Sequence, residues 1–262
     1  MKVISILNQK GGVGKTTITY NLSTLLAKKG YKTLMIDSDS QCSLTLMTGN
    51  DPTQMEDTIV NIYDRDDIKK SIYKLNLENL FLIPSSLRMS SEETKVFTYR
   101  YGRESLLKNA LDKVKNEYDF VVIDNSPSLG IFTINNLNAS DYVVAPVEPT
   151  NLSVYALDDL ENTIMEVKEN MNPSLCYLGI IVNKFDKRIK IHNDILSDLV
   201  NESTILGIIK NSIEAVKGIE NGQPSVINNP NSDVAKSFND ITDLILRTIT
   251  KGVIYGTSTN DN

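Results

Sequence analysis

The chain has 262 residues, 40% of them hydrophobic and 23% charged, with a formal net charge of −6; that length and balance suit one α/β domain with a sizeable core. The acidic balance excludes a protein built wholly around nucleic acid but leaves room for a local basic patch. Two cysteines, Cys42 and Cys176, are too few and too far apart for a disulfide framework, a zinc site or an intrachain iron–sulfur cluster.

The first element is an apolar run, Val3 to Leu7, that reads as a buried strand. It leads through Lys10-Gly11-Gly12-Val13-Gly14-Lys15-Thr16-Thr17 into a helical pattern from Lys15 to about Lys29, with Leu22, Leu25 and Leu26 on one face. Strand, glycine-rich turn and helix in that order make a phosphate cradle. Backbone N–H groups converge on phosphate oxygens, the helix N-terminus adds positive field, Lys15 reaches the β/γ-phosphates, and the Thr16 hydroxyl ligates Mg²⁺. The usual pattern has a glycine five residues before Gly14, where this chain has Gln9; a second lysine, Lys10, stands beside it. Chemistry alone leaves Lys10 either a solvated charge or a functional one.

Further apolar runs at Thr33–Ile36, Leu80–Ile83, Phe120–Ile123, Tyr142–Ala145, Leu178–Val182 and Ile205–Ile209 alternate with helical stretches near 103–116, 131–138, 152–170, 190–202 and 233–250. This order predicts an α/β fold, a mostly parallel twisted sheet with helices on both faces. Residues 51–74 are irregular and are expected to form short helices over one sheet edge. Residues 1–250 are expected to form a single domain and 251–262 a flexible, polar C-terminal tail. With no signal-peptide pattern and no apolar run of spanning length, a cytoplasmic protein is expected.

In open α/β sheets ligands bind beyond the carboxyl ends of the strands. Two acidic segments lie there: Asp37-Ser38-Asp39-Ser40-Gln41, and Asp124-Asn125-Ser126-Pro127. An isolated Asp after a strand commonly starts a turn or caps a helix, but Mg²⁺ carried by a nucleotide needs a nearby carboxylate. Asp124 reads as the acid that acts on Mg²⁺ through water. Asp39, further beyond its strand, reads as the residue orienting the attacking water, and Asp37 as support for the metal's water shell. His192, the single histidine, reads as a surface residue. Lys184, Lys187, Arg188, Lys190, Lys210 and Lys217 form a basic set, either a solvated face or a nucleic-acid patch.

Together the doubled-lysine loop Gln9–Thr17 and the segments Asp37–Gln41 and Asp124–Pro127 resemble the ParA/Soj partition ATPases, deviant-Walker-A proteins of the ParA/MinD group. The resemblance continues through Pro146–Leu152, Gly179–Asp186 and Gly222–Ala235. It implies a P-loop NTPase fold and an ATP- and Mg²⁺-dependent homodimer in which Lys10 crosses to the partner's nucleotide. Lys10, Gly11, Gly12, Val13, Gly14, Lys15, Thr16 and Thr17 would bind nucleotide, and Asn183 would contact adenine. Lys10, Lys15 and Asp39 would act in hydrolysis, and Thr16, Asp37 and Asp124 at the metal. The resemblance further implies a nucleoid-associated dimer that binds DNA without sequence preference through the basic set. A ParB-type centromere-binding partner would stimulate a slow hydrolysis and release the DNA.

Three departures stand out: Ser40 where a proline is usual, Ser126-Pro127 in place of Pro-Pro, and Ile209-Lys210 in place of Ile-Pro. The first two are expected to affect hydrolysis more than binding. No helix-turn-helix precedes the loop, which points away from operon repression. The nearest alternative is a MinD-like spatial-positioning ATPase acting on a membrane or protein scaffold. The sequence ends without a cationic amphipathic face, so no membrane partner is expected. A small-molecule ligase on this scaffold would need a second polar pocket, and none is legible.

Overall fold

The computed structural model describes residues 1–65, 67–212 and 222–251. Eight strands form one sheet in the order β3-β4-β2-β5-β1-β6-β7-β8. They are β1 (Lys2–Ile6), β2 (Thr33–Ser38), β3 (Tyr73–Lys74), β4 (Leu80–Ile83), β5 (Phe120–Asn125), β6 (Tyr142–Val147), β7 (Cys176–Phe185) and β8 (Ile205–Lys210). All neighbours pair in parallel except β3, a two-residue antiparallel edge strand on β4. The described helices are α1 (Lys15–Lys28), α2 (Ser43–Met47), α3 (Ile59–Tyr63), α4 (Met89–Phe97), α5 (Leu106–Asp112), α6 (Ile131–Ala139), α7 (Asn151–Asn170), α8 (Lys190–Glu202), α9 (Ser225–Asn228) and α10 (Asp233–Lys251).

The unalternating apolar strands are buried on both sides. Phe120 and Val122 of β5 pack with Ile18, Leu22 and Leu26 of α1 and with Phe238, Ile241 and Ile245 of α10. Val121 and Ile123, pointing the other way, pack with Leu107 and Leu111 of α5 and Ile131 of α6. On the other half of the sheet, Val143, Ala145 and Val147 of β6 meet Leu157, Leu160 and Ile164 of α7. Helices cover both faces because these strands expose apolar side chains to both.

Several elements differ from the sequence reading. The helix expected near 103–116 covers only Leu106–Asp112. Its start is fixed from outside, because Asn135 of α6 accepts from the Leu106 and Leu107 N–H groups and donates to the Arg103 carbonyl. Helices α2 and α4 and strand β3 carry no periodic signal long enough to read. Within 51–74 the chain forms α3, a 3₁₀ turn at Ile68–Ser71 and β3. The last helix extends through Lys251, the first residue assigned to the tail; the rest of the tail, 252–262, lies outside the described residues.

Gly179 marks a tight point of the sheet. Its φ is +130°, beside an irregular register between β6 and β7, and a β-carbon there would run into the Thr204 carbonyl oxygen, which accepts the Ile180 N–H. Gly179→Ala is expected to cost about 2–4 kcal/mol. Gly49→Ala, also at positive φ but with no atom within 4 Å of an added β-carbon, is expected to cost about 1 kcal/mol. Urea unfolding of both variants checks the ranking.

Candidate active site

The parallel register brings the two acidic segments side by side. Ile6, at the end of β1, lies opposite Asp124 of β5, and Asp124 lies opposite Asp37 of β2. The glycine-rich loop leaves β1 at this level. Buried Asn8 ties it down, accepting the Lys10 N–H at 2.8 Å and donating to the Pro146 carbonyl at 2.7 Å. Gly12 and Gly14 take φ of 76° and 97°, a left-handed geometry that glycine adopts without a Cβ penalty. An added β-carbon at Gly11 or Gly12 would meet nothing within 4 Å, whereas one at Gly14 would strike the Asn183 amide. The loop is therefore open on one side and closed on the other.

Helix α1 starts at Lys15 with neither a side-chain cap nor an acidic residue in its first turn, so its N-terminal field is uncompensated by side chains. Lys15 is buried, and its ammonium donates to the Asn8 carbonyl at 3.0 Å and the Lys10 carbonyl at 3.2 Å. Burial lowers its pKa against the opposing pull of Asp124 and Asp39.

Asp124 is buried, and neither carboxylate oxygen receives a well-formed hydrogen bond, the Thr16 hydroxyl being the donor nearest to making one. Burial foremost, then the charge of Asp37, raises its pKa well above the usual carboxylate range; the adjacent Thr16 hydroxyl and Lys15 pull it down. An orphaned buried carboxylate beside a threonine at the start of α1 and an open glycine cradle fits a Mg²⁺–nucleotide. Among the described residues no three His, Cys, Asp or Glu side chains converge as a metal site. That is as expected for Mg²⁺, which takes one or two carboxylates and completes its shell with water and phosphate.

Asp37, expected to support the metal's water shell, is engaged by donors of its own chain. One oxygen accepts from the Thr45 N–H (2.8 Å) and hydroxyl (2.7 Å), and the other accepts the Asp39 N–H at 3.2 Å. Burial raises its pKa to about 6 against these donors. It thus anchors α2 and the turn that carries Asp39. Asp39 is half-buried and accepts the Gln41 N–H at 3.0 Å. A cleft of about 230 Å³ opens beside it, lined by Gln41, Glu93, Ser126 and Thr133.

Strand β7 ends on the loop. The Asn183 side chain donates one N–H to the Val13 carbonyl at 2.7 Å, which leaves its second N–H and its oxygen for other partners. Lys184, expected in the basic patch, instead donates to the Gly12 carbonyl at 2.6 Å and pairs with Glu148 at 2.5 Å. Its backbone turns to φ 55° one residue before the end of β7. Lys10 also folds back within its own chain, toward Glu148, Thr150 and Ser153. Glu148 and Thr150 lie in the segment Pro146–Leu152, and their convergence on Lys10 has no sequence signal.

The remaining basic residues divide. Arg188 forks onto Asp186 and Lys210 pairs with Asp233, whereas Lys187 and Lys190 are exposed without an ion pair among the described residues. Lys217 lies outside the described residues. His192 is not a bare surface residue: its ring accepts the Asp186 N–H at 3.1 Å and lies against Phe185. No described helix is long and apolar enough to cross a membrane.

Comparison with known proteins places this geometry. A family described as AAA domain matches residues 1–177. The chain is 32% identical to the sporulation initiation inhibitor protein Soj of Bacillus subtilis over 92% of its length and 96% of the relative's. A plasmid partition protein from Borrelia burgdorferi, solved with AMPPNP, superposes with a TM-score of 0.81 at 30% identity, covering 94% of this chain and 99% of that one. The cobyrinic acid a,c-diamide synthase of Mycobacterium smegmatis, solved with ADP and magnesium, gives a TM-score of 0.83 at 27% identity over 99% of both chains.

The raised pKa of Asp124 sets a sign. The folded chain holds that proton to higher pH than the unfolded chain, so this group's contribution to stability is lost as pH rises above the ordinary carboxylate range. Asp124→Asn should therefore stabilise the nucleotide-free chain by about 1–3 kcal/mol at neutral pH. The gain should fade toward about pH 4. Denaturant titrations across pH check this; a loss of stability independent of pH would contradict it.

Proposed function

This chain belongs to the ParA/Soj-type partition ATPases of the deviant-Walker-A group, and from that premise we propose that it is an ATP-driven DNA-partitioning switch. In this reading Mg-ATP joins two copies face to face, the dimer binds DNA without sequence preference, and hydrolysis to ADP and phosphate releases it. A ParB-type partner stimulates the hydrolysis. The single observation that carries the dimeric reading is the second lysine. Lys15 already stands where the phosphates would lie, so Lys10 at the front of the same loop, its side chain 31% exposed, is not needed by its own chain's phosphates and can serve another copy once its bonds to Glu148, Thr150 and Ser153 break.

The loop N–H groups and Lys15 bind the phosphates. Thr16 and Asp124 hold Mg²⁺, which when bound neutralises charge building on the phosphate oxygens. Asp39 orients the attacking water, and Asp37 fixes the Asp39 turn as a positioning residue. Asn183 secures the loop behind Gly14. Lys187 and Lys190, exposed and unpaired among the described residues, are the strongest phosphate-backbone contacts of the basic set. Arg188 and Lys210 contribute less because each already faces a carboxylate. In this reading the protein works on the nucleoid, in the cytoplasm.

Two other readings are weaker. A membrane-acting MinD-like protein would want a free amphipathic helix, but Phe238, Ile241 and Ile245 of α10 are buried in the core. A small-molecule synthase would need its substrate beside the phosphate loop and the acids, yet the cleft beside Asp39 is about 230 Å³, and the larger cavity of about 530 Å³ lined by Asn50, Lys74, Asn76 and Gln223 has no lining residue from the glycine loop or the two acidic segments.

Sedimentation of an Asp39→Ala variant is expected to show monomers that become dimers with Mg-ATP, and Lys10→Ala should abolish the shift. A monomer throughout would sink the dimeric reading. Reversing charge at Lys187 and Lys190 should weaken binding to random-sequence DNA uniformly and lower the salt slope by roughly one per lost contact. An unchanged salt slope would place the DNA surface elsewhere.

A further inference from the structure

Glu148 follows β6 and precedes α7, and its carboxylate, 18% exposed, is shared by two lysines, one from the glycine-rich loop and one from the end of β7. One oxygen takes the Lys10 ammonium at 3.5 Å. The same ammonium donates to the Thr150 hydroxyl at 3.1 Å and the Ser153 hydroxyl at 3.3 Å. Those hydroxyls bond each other at 2.8 Å, and Ser153 is fully buried. A lysine ammonium has three protons to donate, and here all three have acceptors in the same chain. Glu148, Thr150 and Ser153 thus form a built receptor for Lys10 at the start of α7.

The other Glu148 oxygen takes Lys184 at 2.5 Å, and Lys184 also donates to the Gly12 carbonyl at 2.6 Å. Lys184 reaches this position from φ 55°, a conformation uncommon for a residue with a β-carbon. One carboxylate therefore ties the front of the phosphate loop, the end of β7 and the start of α7 together. An ammonium held this way is not available to a second copy of the chain until these bonds break.

We propose that Glu148 is a positioning residue that parks Lys10 in its own chain and so sets how readily a second copy can recruit it. This inference rests on the reading that Lys10 serves the partner subunit. Glu148 opposes dimerisation by stabilising the monomer's Lys10, and Thr150 assists through its hydroxyl. The charge pair is partly exposed, so its hold is modest and can be released by ligand-driven assembly.

The test uses the full chain and two readouts. In nucleotide-free protein treated with an N-hydroxysuccinimide ester, Glu148→Gln should raise acylation of Lys10 several-fold, relative to exposed Lys108 in the same sample. In the Asp39→Ala background, Glu148→Gln should lower the ATP concentration for half-maximal dimerisation about fivefold. Thr150→Ala should move both readouts the same way by less, and it carries the test if Glu148→Gln does not fold. Unchanged Lys10 acylation in the folded variants would overturn the parking, and raised acylation without easier dimerisation would overturn its control of assembly. If Lys10→Ala still dimerises with ATP, the partner-lysine reading itself falls and this inference falls with it.

Discussion

The structure depends on charge buried at the carboxyl ends of three adjacent strands. Asp37 and Asp124 stand opposite each other in register on β2 and β5, with Lys15 at the head of α1. Burial penalises each charged form, and the pair cannot neutralise itself. Asp37 is answered by donors from Thr45 and Asp39, which folds the chain beyond β2 into α2 and the Asp39 turn. Asp124 has no such answer. The unsatisfied carboxylate is what a cation-bearing ligand would relieve.

Around that point the polar groups that hold the strand ends are amides. Asn125 donates to the Ile6 carbonyl, and Asn136 of α6 donates to Asn125 and Ser38. Asn8 and Asn183 do the same for the glycine loop. Amides carry no net charge, so they fix geometry without adding to an already crowded electrostatic field. Buried and bonded on more than one side, they hold the loop and both acidic turns in fixed relation.

The basic residues show how weak a guide proximity in sequence is. Six were grouped by spacing, yet Lys184 turns to the nucleotide loop while Arg188 and Lys210 meet local acids. Lys184, at a left-handed φ, meets the Gly12 carbonyl and Glu148, whereas Arg188, four positions on, meets Asp186. Nothing in composition signals that turn.

By itself the sequence determined the seven long strands, the phosphate loop and the two acids that follow β2 and β5, because apolar runs and glycine placement are local signals with local causes. It also located Lys10, though not where its side chain rests. Tertiary structure alone decided the register that sets Asp37 against Asp124, the start of α5 fixed by Asn135, and the convergence of Lys10 and Lys184 on Glu148. Those contacts join residues far apart in the chain, 138 positions for Lys10 and Glu148. Strand order and helix packing bring such groups within hydrogen-bond reach, and no pattern along the chain encodes a distance across it.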